Sequence, residues 1–242
     1  MKKLMVILSA GTILAACAST PQYSCPVESF KAPKGGEVQI AMVNHGSIAL
    51  SYKGYEIQVD PVGDFYSEFP KADLIVISHE HGDHLAPDVI KLLSDEETRV
   101  ICNAASASKI DGAEIMANGD SAELPKGISV RAVPAYNITE GHTNFHPKGN
   151  GNGYLFNFGG LNVYVAGDTE EIPELSDLKD IDVAFLPVNQ PYTMTIEQCI
   201  SAAKTIAPKV LVPYHLSNTD AQAIKAGLEG SGIEVKLFDT LK

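Results

Sequence analysis

Apolar residues fall into short runs broken by Gly, Pro, Asn and Asp, a pattern that predicts strands joined by tight turns. Val38 to Val43 and Ile48 to Tyr52 read as strands, Lys53 and Gly54 turn the chain, and Tyr55 to Val59 returns as a hairpin ending in Asp60 and Pro61. Leu74 to Ile77 is a continuous apolar strand and Pro87 to Leu93 a short helix. Val100 to Cys102 and Ile128 to Val133 are further strands, and a second hairpin, Tyr154 to Phe158 with Leu161 to Ala166, turns at Gly159 and Gly160. Buried strands follow at Val183 to Leu186 and Val210 to Val212. Thr195 with Gln198 makes a capping box for a helix ending near Ile206, and Thr219 with Gln222 makes another for the next. Strands come first in hairpins and later alternate with helices, which implies mixed sheets sandwiched by helices. No internal repeat is visible. At 242 residues and 45% hydrophobic composition the chain suits one sizeable globular domain.

The N-terminus carries an export address. Lys2 and Lys3 precede an apolar segment from Leu4 to Ala16, too short to span a bilayer comfortably, as in a secretory signal. Leu14, Ala15, Ala16, Cys17 resembles the lipobox of bacterial lipoproteins, in which the cysteine is lipidated and becomes the first residue; cleavage after Ala18 is the alternative. Ala18 after the cysteine then implies an outer-membrane lipoprotein facing the periplasm, with its N-terminal lipid as the sole membrane contact. The expected layout is a signal peptide over 1–16, the lipidated Cys17 and a Pro-, Ser-, Lys- and Gly-rich tether to residue 36, and a domain over 37–242. Formal charge is −12, and losing Lys2 and Lys3 would take it to −14. Such a surface repels phosphate backbones and argues against a nucleic-acid role. Beyond Cys17, the remaining Cys25, Cys102 and Cys199 permit at most one internal disulfide.

Chemistry concentrates in His79, Glu80, His81, Gly82, Asp83, His84, directly behind the apolar run Leu74 to Ile77. Neutral imidazoles and ionised carboxylates are what a divalent cation binds, so this cluster reads as a metal site. It is not the helical zinc-protease motif, because the position four beyond His79 is Asp83 rather than His. His79 and His81 flank one residue while Asp83 and His84 are adjacent, so two neighbouring ions, one served by each pair, fit better than one. Asp60, His79, Asp168 and His215 each stand at or just past the end of an apolar strand, where a packed sheet presents side chains on a common rim.

HEHGDH, then His146 within NFHPKGNGNGY, then Gly167, Asp168, Thr169, then Pro213, Tyr214, His215, resembles the metallo-β-lactamase superfamily of dinuclear metal hydrolases. More narrowly, the chain is similar to the branch holding the ascorbate phosphate lactonase and the phospholipase of N-acyl ethanolamine lipids, from Glu37 onward and including AMVNHGSIALSYKGYEIQVDPV. The resemblance implies an α+β fold, a four-layer αββα sandwich with two metals at the open edge of its sheets. It implies that His79, His81 and His146 hold one metal, Asp83, His84 and His215 the other, and that Asp168 bridges. His142 lies in the same loop as His146, and the pattern of His followed by Pro and Lys favours His146. True β-lactamases usually carry a cysteine in the second site; with Asp83, His84 and Asp168 here, antibiotic hydrolysis is not implied.

Five histidines and two aspartates suit two divalent ions, zinc first, with manganese or iron also accommodated. Asp60 is expected to fix a ligand histidine's tautomer, and His45, in an Asn-His-Gly-Ser turn, to lie near the site as a hydrogen-bonded histidine. The expected chemistry is hydrolysis by a metal-held hydroxide, with Asp83 as ligand and candidate general base, on an ester, lactone, amide or phosphoester of a small molecule or lipid. The loop from Pro134 to Gly153 reads as a cover in which Lys148 meets an anionic group. A periplasmic metal-binding lipoprotein or a non-catalytic scaffold on this fold are the alternatives, and oligomeric state is not readable.

Overall fold

The computed structural model describes residues 23–242, so the leader, Cys17 and the lipidation expected there lie outside the described residues. Two seven-stranded sheets are built in strict chain order. The first contains β1 (Val27–Lys31), β2 (Glu37–Asn44), β3 (Ser47–Tyr52), β4 (Tyr55–Val59), β5 (Leu74–Ile77), β6 (Arg99–Cys102) and β7 (Glu114–Ile115). The second contains β8 (Ser121–Leu124), β9 (Ile128–Ala135), β10 (Gly151–Phe158), β11 (Leu161–Val165), β12 (Val183–Pro187), β13 (Val210–Tyr214) and β14 (Glu234–Val235).

In both sheets the first four strands pair antiparallel and the fourth to the seventh parallel. The halves thus repeat one topology, although no repeat shows in the amino-acid order. Corresponding hairpins turn on Lys53–Gly54 and Gly159–Gly160, all four residues at positive φ, the backbone that a two-residue turn needs to match strand twist. Parallel neighbours require crossovers, and α1 (Pro87–Leu93) lies between β5 and β6 as α3 (Ile196–Ile206) lies between β12 and β13. Shorter helices, α2 (Ala104–Ala107) and α4 (Ala221–Gly227), occupy the next crossover of each half.

Alternation along the strands makes three apolar layers. Ile48, Leu50, Leu74 and Val76 from one sheet meet Val183, Phe185, Val212 and Tyr214 from the other in a central core. Ile75 and Ile77 face outward onto Ile90 and Leu93 of α1. Ala184, Leu186 and Leu211 face outward onto Cys199, Ala203 and Ile206 of α3 and Ile224 of α4. The result is the expected α+β, four-layer αββα sandwich. Cys25, Cys102 and Cys199 are all free. Among the described residues no helix is long and apolar enough to cross a membrane.

Two sequence expectations are corrected. The tether does not extend to residue 36: Val27 to Lys31 pairs with Ala41 to Glu37 as an edge strand, and Tyr23 is buried with its hydroxyl donating to Glu56 Oε2 at 2.7 Å and its ring 4.9 Å from Phe69. The strand was hidden because its residues are exposed or half-buried and carry no core-facing apolar pattern. The N-cap of α4 is Asp220, whose carboxylate accepts from Gln222 N–H, while Thr219 donates its hydroxyl to the Val188 carbonyl. If Tyr23 belongs to the fold, Tyr23→Ala should cost about 2–3 kcal/mol and lower the melting temperature by about 4–12 °C. An unchanged thermal unfolding curve would return this segment to the tether.

Candidate metal centre

All the candidate donors collect at one edge of the sandwich. His79, His81, Asp83 and His84 follow β5, Asp168 follows β11, His215 follows β13, and His146 comes from the loop between β9 and β10. Six of the seven histidines in the chain are gathered here. His79 Nε2 lies 3.0 Å from His81 Nδ1. Around Asp168, His146 Nε2 is at 3.3 Å, His84 Nε2 and His215 Nε2 are each at 3.4 Å, and His79 Nε2 is at 3.9 Å. Asp83 Oδ2 stands 3.4 Å from His215 Nε2 and 3.8 Å from both His84 Nε2 and His45 Nε2. Donors at zinc-like distances of about 2.0–2.1 Å around one tetrahedral ion would be about 3.3 Å apart, so this spacing fits cation ligation.

Unpaired atoms make the stronger test. His84 Nε2, His146 Nε2, both ring nitrogens of His215 and Asp168 Oδ1 are buried without a hydrogen-bond partner. One such atom costs about 1–3 kcal/mol, and four of them, His84 Nε2, His146 Nε2, His215 Nε2 and Asp168 Oδ1, gathered around Asp168 are not sustained by a fold that has nothing to bind there. Three donor triplets each fall within 4.8 Å: His79, His81 and His146; His79, His84 and Asp168; and His45, Asp83 and His215. The first is the set the resemblance implied for one metal. In the last, His45 stands where His84 was expected.

Protonation and orientation are set by a second tier of contacts. Asp60 accepts from Ser78 N–H at 2.7 Å, from the Ser78 hydroxyl at 2.6 Å and from His84 Nδ1–H at 2.8 Å. The Ser78 hydroxyl is also 2.9 Å from His79 Nδ1, so one buried carboxylate directs His84 directly and His79 through Ser78, leaving Nε2 of each as donor. His146 Nδ1–H donates at 2.9 Å to the Tyr192 carbonyl, which also accepts from the Asn137 amide at 2.7 Å. His45 donates from Nδ1 to the main-chain oxygen of Lys242 at 2.8 Å and lies 3.8 Å, ring to ring, from His215. Backbone strain clusters here too: His45, Asp60, His215 and Ser217 are at positive φ, and a Cβ on Gly46 would come within 2.8 Å of the His84 ring.

Burial, reinforced by neighbouring His84, pushes His79 well below the usual imidazole range, and burial lowers His146. The His215 and His45 imidazoles hold the Asp83 carboxyl far below its usual range. Burial alone would raise Asp168, but His215, His84 and His79 outweigh it and keep the carboxylate ionised. Burial thus favours neutral imidazole at His79 and His146 beside ionised Asp83 and Asp168, as a divalent cation requires. At His84, burial is outweighed by Asp168 and Asp60, which raise it well above the usual imidazole range, so that a bound cation would displace its proton.

Residues outside the cluster are as informative. His142 turns away, its Nδ1 3.2 Å from Glu170 Oε1. Lys148 does not reach the site: its ammonium donates to the Tyr136 hydroxyl at 3.0 Å and to Glu174 at 3.1 Å. The covering loop is shorter than expected, since Pro134–Ala135 belong to β9 and Gly151–Gly153 to β10. Sequence reasoning missed Ser78, though its place between an apolar strand and HEHGDH was a signal. It also missed Phe145, Asn189, Tyr192 and Ser217, which line a cavity of about 290 Å³ over the donors. A larger groove of about 630 Å³ by α1, bordered by Lys91, Asp95, Arg99 and Glu114, contains none of these donors.

The family profile described as the beta-lactamase superfamily domain matches residues 39–215, from β2 through His215. The chain belongs to the metallo-β-lactamase superfamily. Among its relatives, a UPF0173 metal-dependent hydrolase of Heliobacterium modesticaldum is 35% identical over 198 residues, 74% of this chain and 82% of the relative. Among solved structures, a candidate metal-dependent hydrolase from Parabacteroides distasonis is 47% identical with a TM-score of 0.87, covering 89% of this chain and 99% of that one. Igni18, described as a novel metallo hydrolase from Ignicoccus hospitalis, is 26% identical with a TM-score of 0.69, over 85% of this chain and 96% of its own. For this member of the superfamily, Asp60→Asn should place an N–H against His84 Nδ1 and weaken metal binding by about 10–100-fold. Competition with a chromophoric chelator measures it, and unaltered affinity would show that Asp60 does not set the tautomer.

Proposed function

We infer that this chain, a metal-dependent hydrolase of the metallo-β-lactamase superfamily, works with two divalent cations on an ester, lactone, amide or phosphoester of a small molecule or lipid. The observation that carries the reading is the set of buried, unpartnered His and Asp atoms converging at one sandwich edge. His79, His81 and His146 would hold one cation, Asp83, His84 and His215 the other, with Asp168 between them; His45 would back the second set. Nitrogen and oxygen donors in these numbers suit zinc, with manganese or iron as alternatives. When bound, such cations would supply a nucleophilic water at neutral pH by lowering its pKa from about 15.7 toward 7, and would polarise the scissile oxygen.

Chain residues do the rest. Asp83 is the one cluster carboxylate that reaches solvent, with a side chain 52% exposed, and it borders the cavity. Its ionised carboxylate accepts the proton of the attacking water and orients that water toward the substrate. Asp60 and Ser78 keep His84 and His79 turned inward, and Phe145 and Tyr192 shield one side of the cavity from bulk water. Because Asp83 also serves as a ligand, Asp83→Asn is reconstituted to the wild-type metal content first and should then lose about 10²-fold or more in kcat, read by turnover and elemental analysis on the same sample. Full turnover with both metals kept would remove Asp83 as the base.

Export as an outer-membrane lipoprotein remains part of this proposal, supported by Lys2, Lys3, the apolar Leu4 to Ala16 and Cys17. Because Tyr23 packs into the fold only six residues past Cys17, a lipid there would hold the domain within about 20 Å of the bilayer. Cells fed labelled palmitate should label the wild type and not Cys17→Ser. Equal labelling, or none in either, would leave ordinary cleavage after Ala18.

A further inference from the structure

Besides the donors, the cavity is lined by aromatic and amide side chains. Phe145 and Tyr192 meet edge to face with ring centroids 4.9 Å apart, Phe145 half-buried and Tyr192 45% exposed. They come from different loops, and those loops are locked together because the Tyr192 carbonyl binds both Asn137 and His146. The aromatic pair is thereby placed at a fixed offset from a metal-site histidine. In the same lining, the Asn189 amide donates to the Ser217 hydroxyl at 3.1 Å, which leaves that hydroxyl proton free to meet an uncharged oxygen.

Positive side chains are missing from this lining. No Lys or Arg is among the described residues that line the cavity, and the basic residue of the covering loop, Lys148, is engaged by Tyr136 and Glu174. With two cations bound the charges of Asp83 and Asp168 would be offset, so an anionic substituent lying away from the reacting centre would have no positive side chain to meet. A phosphoester would find no guanidinium or ammonium for the oxygens that its reacting centre does not use. At about 290 Å³ the cavity sits at the small end of ligand sites.

We propose that the Phe145–Tyr192 pair makes this site selective for a small uncharged ester or lactone carrying an apolar group. The assignment rests on the hydrolase reading above. Water adds to the acyl carbon and the acyl C–O bond breaks, giving a carboxylic acid and an alcohol, or one hydroxy acid from a lactone. The apolar group lies on the two rings, and the Ser217 hydroxyl meets the polar end.

Two p-nitrophenyl esters of similar size isolate the charge: the butyrate, which is neutral, and the monosuccinate, which is anionic. With the holoenzyme as purified, kcat/KM for the butyrate should exceed that for the succinate by about 10-fold or more. Tyr192→Ala and, separately, Phe145→Ala should raise KM for the butyrate about 5–10-fold with a smaller effect on kcat. Metal content should be unchanged in Tyr192→Ala, because the carbonyl that orients His146 belongs to the backbone. Equal or better use of the succinate, faster turnover of bis(p-nitrophenyl) phosphate than of the butyrate, or unaltered KM in both folded variants would overturn the substrate class while leaving the hydrolase. Turnover of none of the three probes, or turnover indifferent to metal removal, would instead strike the hydrolase reading.

Discussion

Everything at the open edge of this sandwich answers to one constraint: several imidazole and carboxylate atoms are held out of water with no proton partner. Burying such atoms costs free energy unless something else satisfies them, and here His84 Nε2, His146 Nε2, His215 Nε2 and Asp168 Oδ1 converge on one place. The surroundings are arranged to keep them so. Asp60 and Ser78 occupy the outward nitrogens of His84 and His79, and the Tyr192 carbonyl occupies that of His146. Each of these contacts frees an inward nitrogen. Left-handed backbone at His45, Asp60 and His215 and the missing side chain of Gly46 are local costs that make sense only if the donor geometry must be met.

The fold supplies the rigidity that this arrangement demands. Each half of the molecule runs four antiparallel strands into parallel steps, and the parallel strands of the two sheets deliver Asp60, His79, Asp168 and His215 to one rim. Asp60 follows the fourth strand of the first half and Asp168 comes just after the fourth strand of the second, so equivalent places in the two halves provide an orienting carboxylate and a central one. Apolar layers on both faces of both sheets fix these strand ends. The loops at the rim inherit that rigidity through backbone ties, such as Asn152 N–H to the Ser78 carbonyl at 2.9 Å, which joins the sheets beside the donors.

Legibility in the sequence followed physical range. HEHGDH was readable because closely spaced His and Asp side chains behind an apolar strand are a local signal, and the strands themselves because both faces are buried and their residues read as continuous apolar runs. The choice between His142 and His146 was not local: it is made by the carbonyl of Tyr192, 46 residues on from His146, and by Glu170, which takes up His142. Edge strands Val27–Lys31, Ser121–Leu124 and Glu234–Val235 went unseen because their outer positions are polar or exposed. Lys148 looked free to meet a ligand, since nothing nearby in sequence reveals Glu174. The topological repeat was invisible because the same strand order is built from different residues.

The number of cations the site holds bears most directly on the account. Protein purified without chelator or added metal, then subjected to elemental mass spectrometry, should carry about two tightly held divalent ions per chain. One ion or none, after reconstitution with zinc, manganese or iron, would contradict the two-cation centre and leave the buried unpaired donors without their explanation.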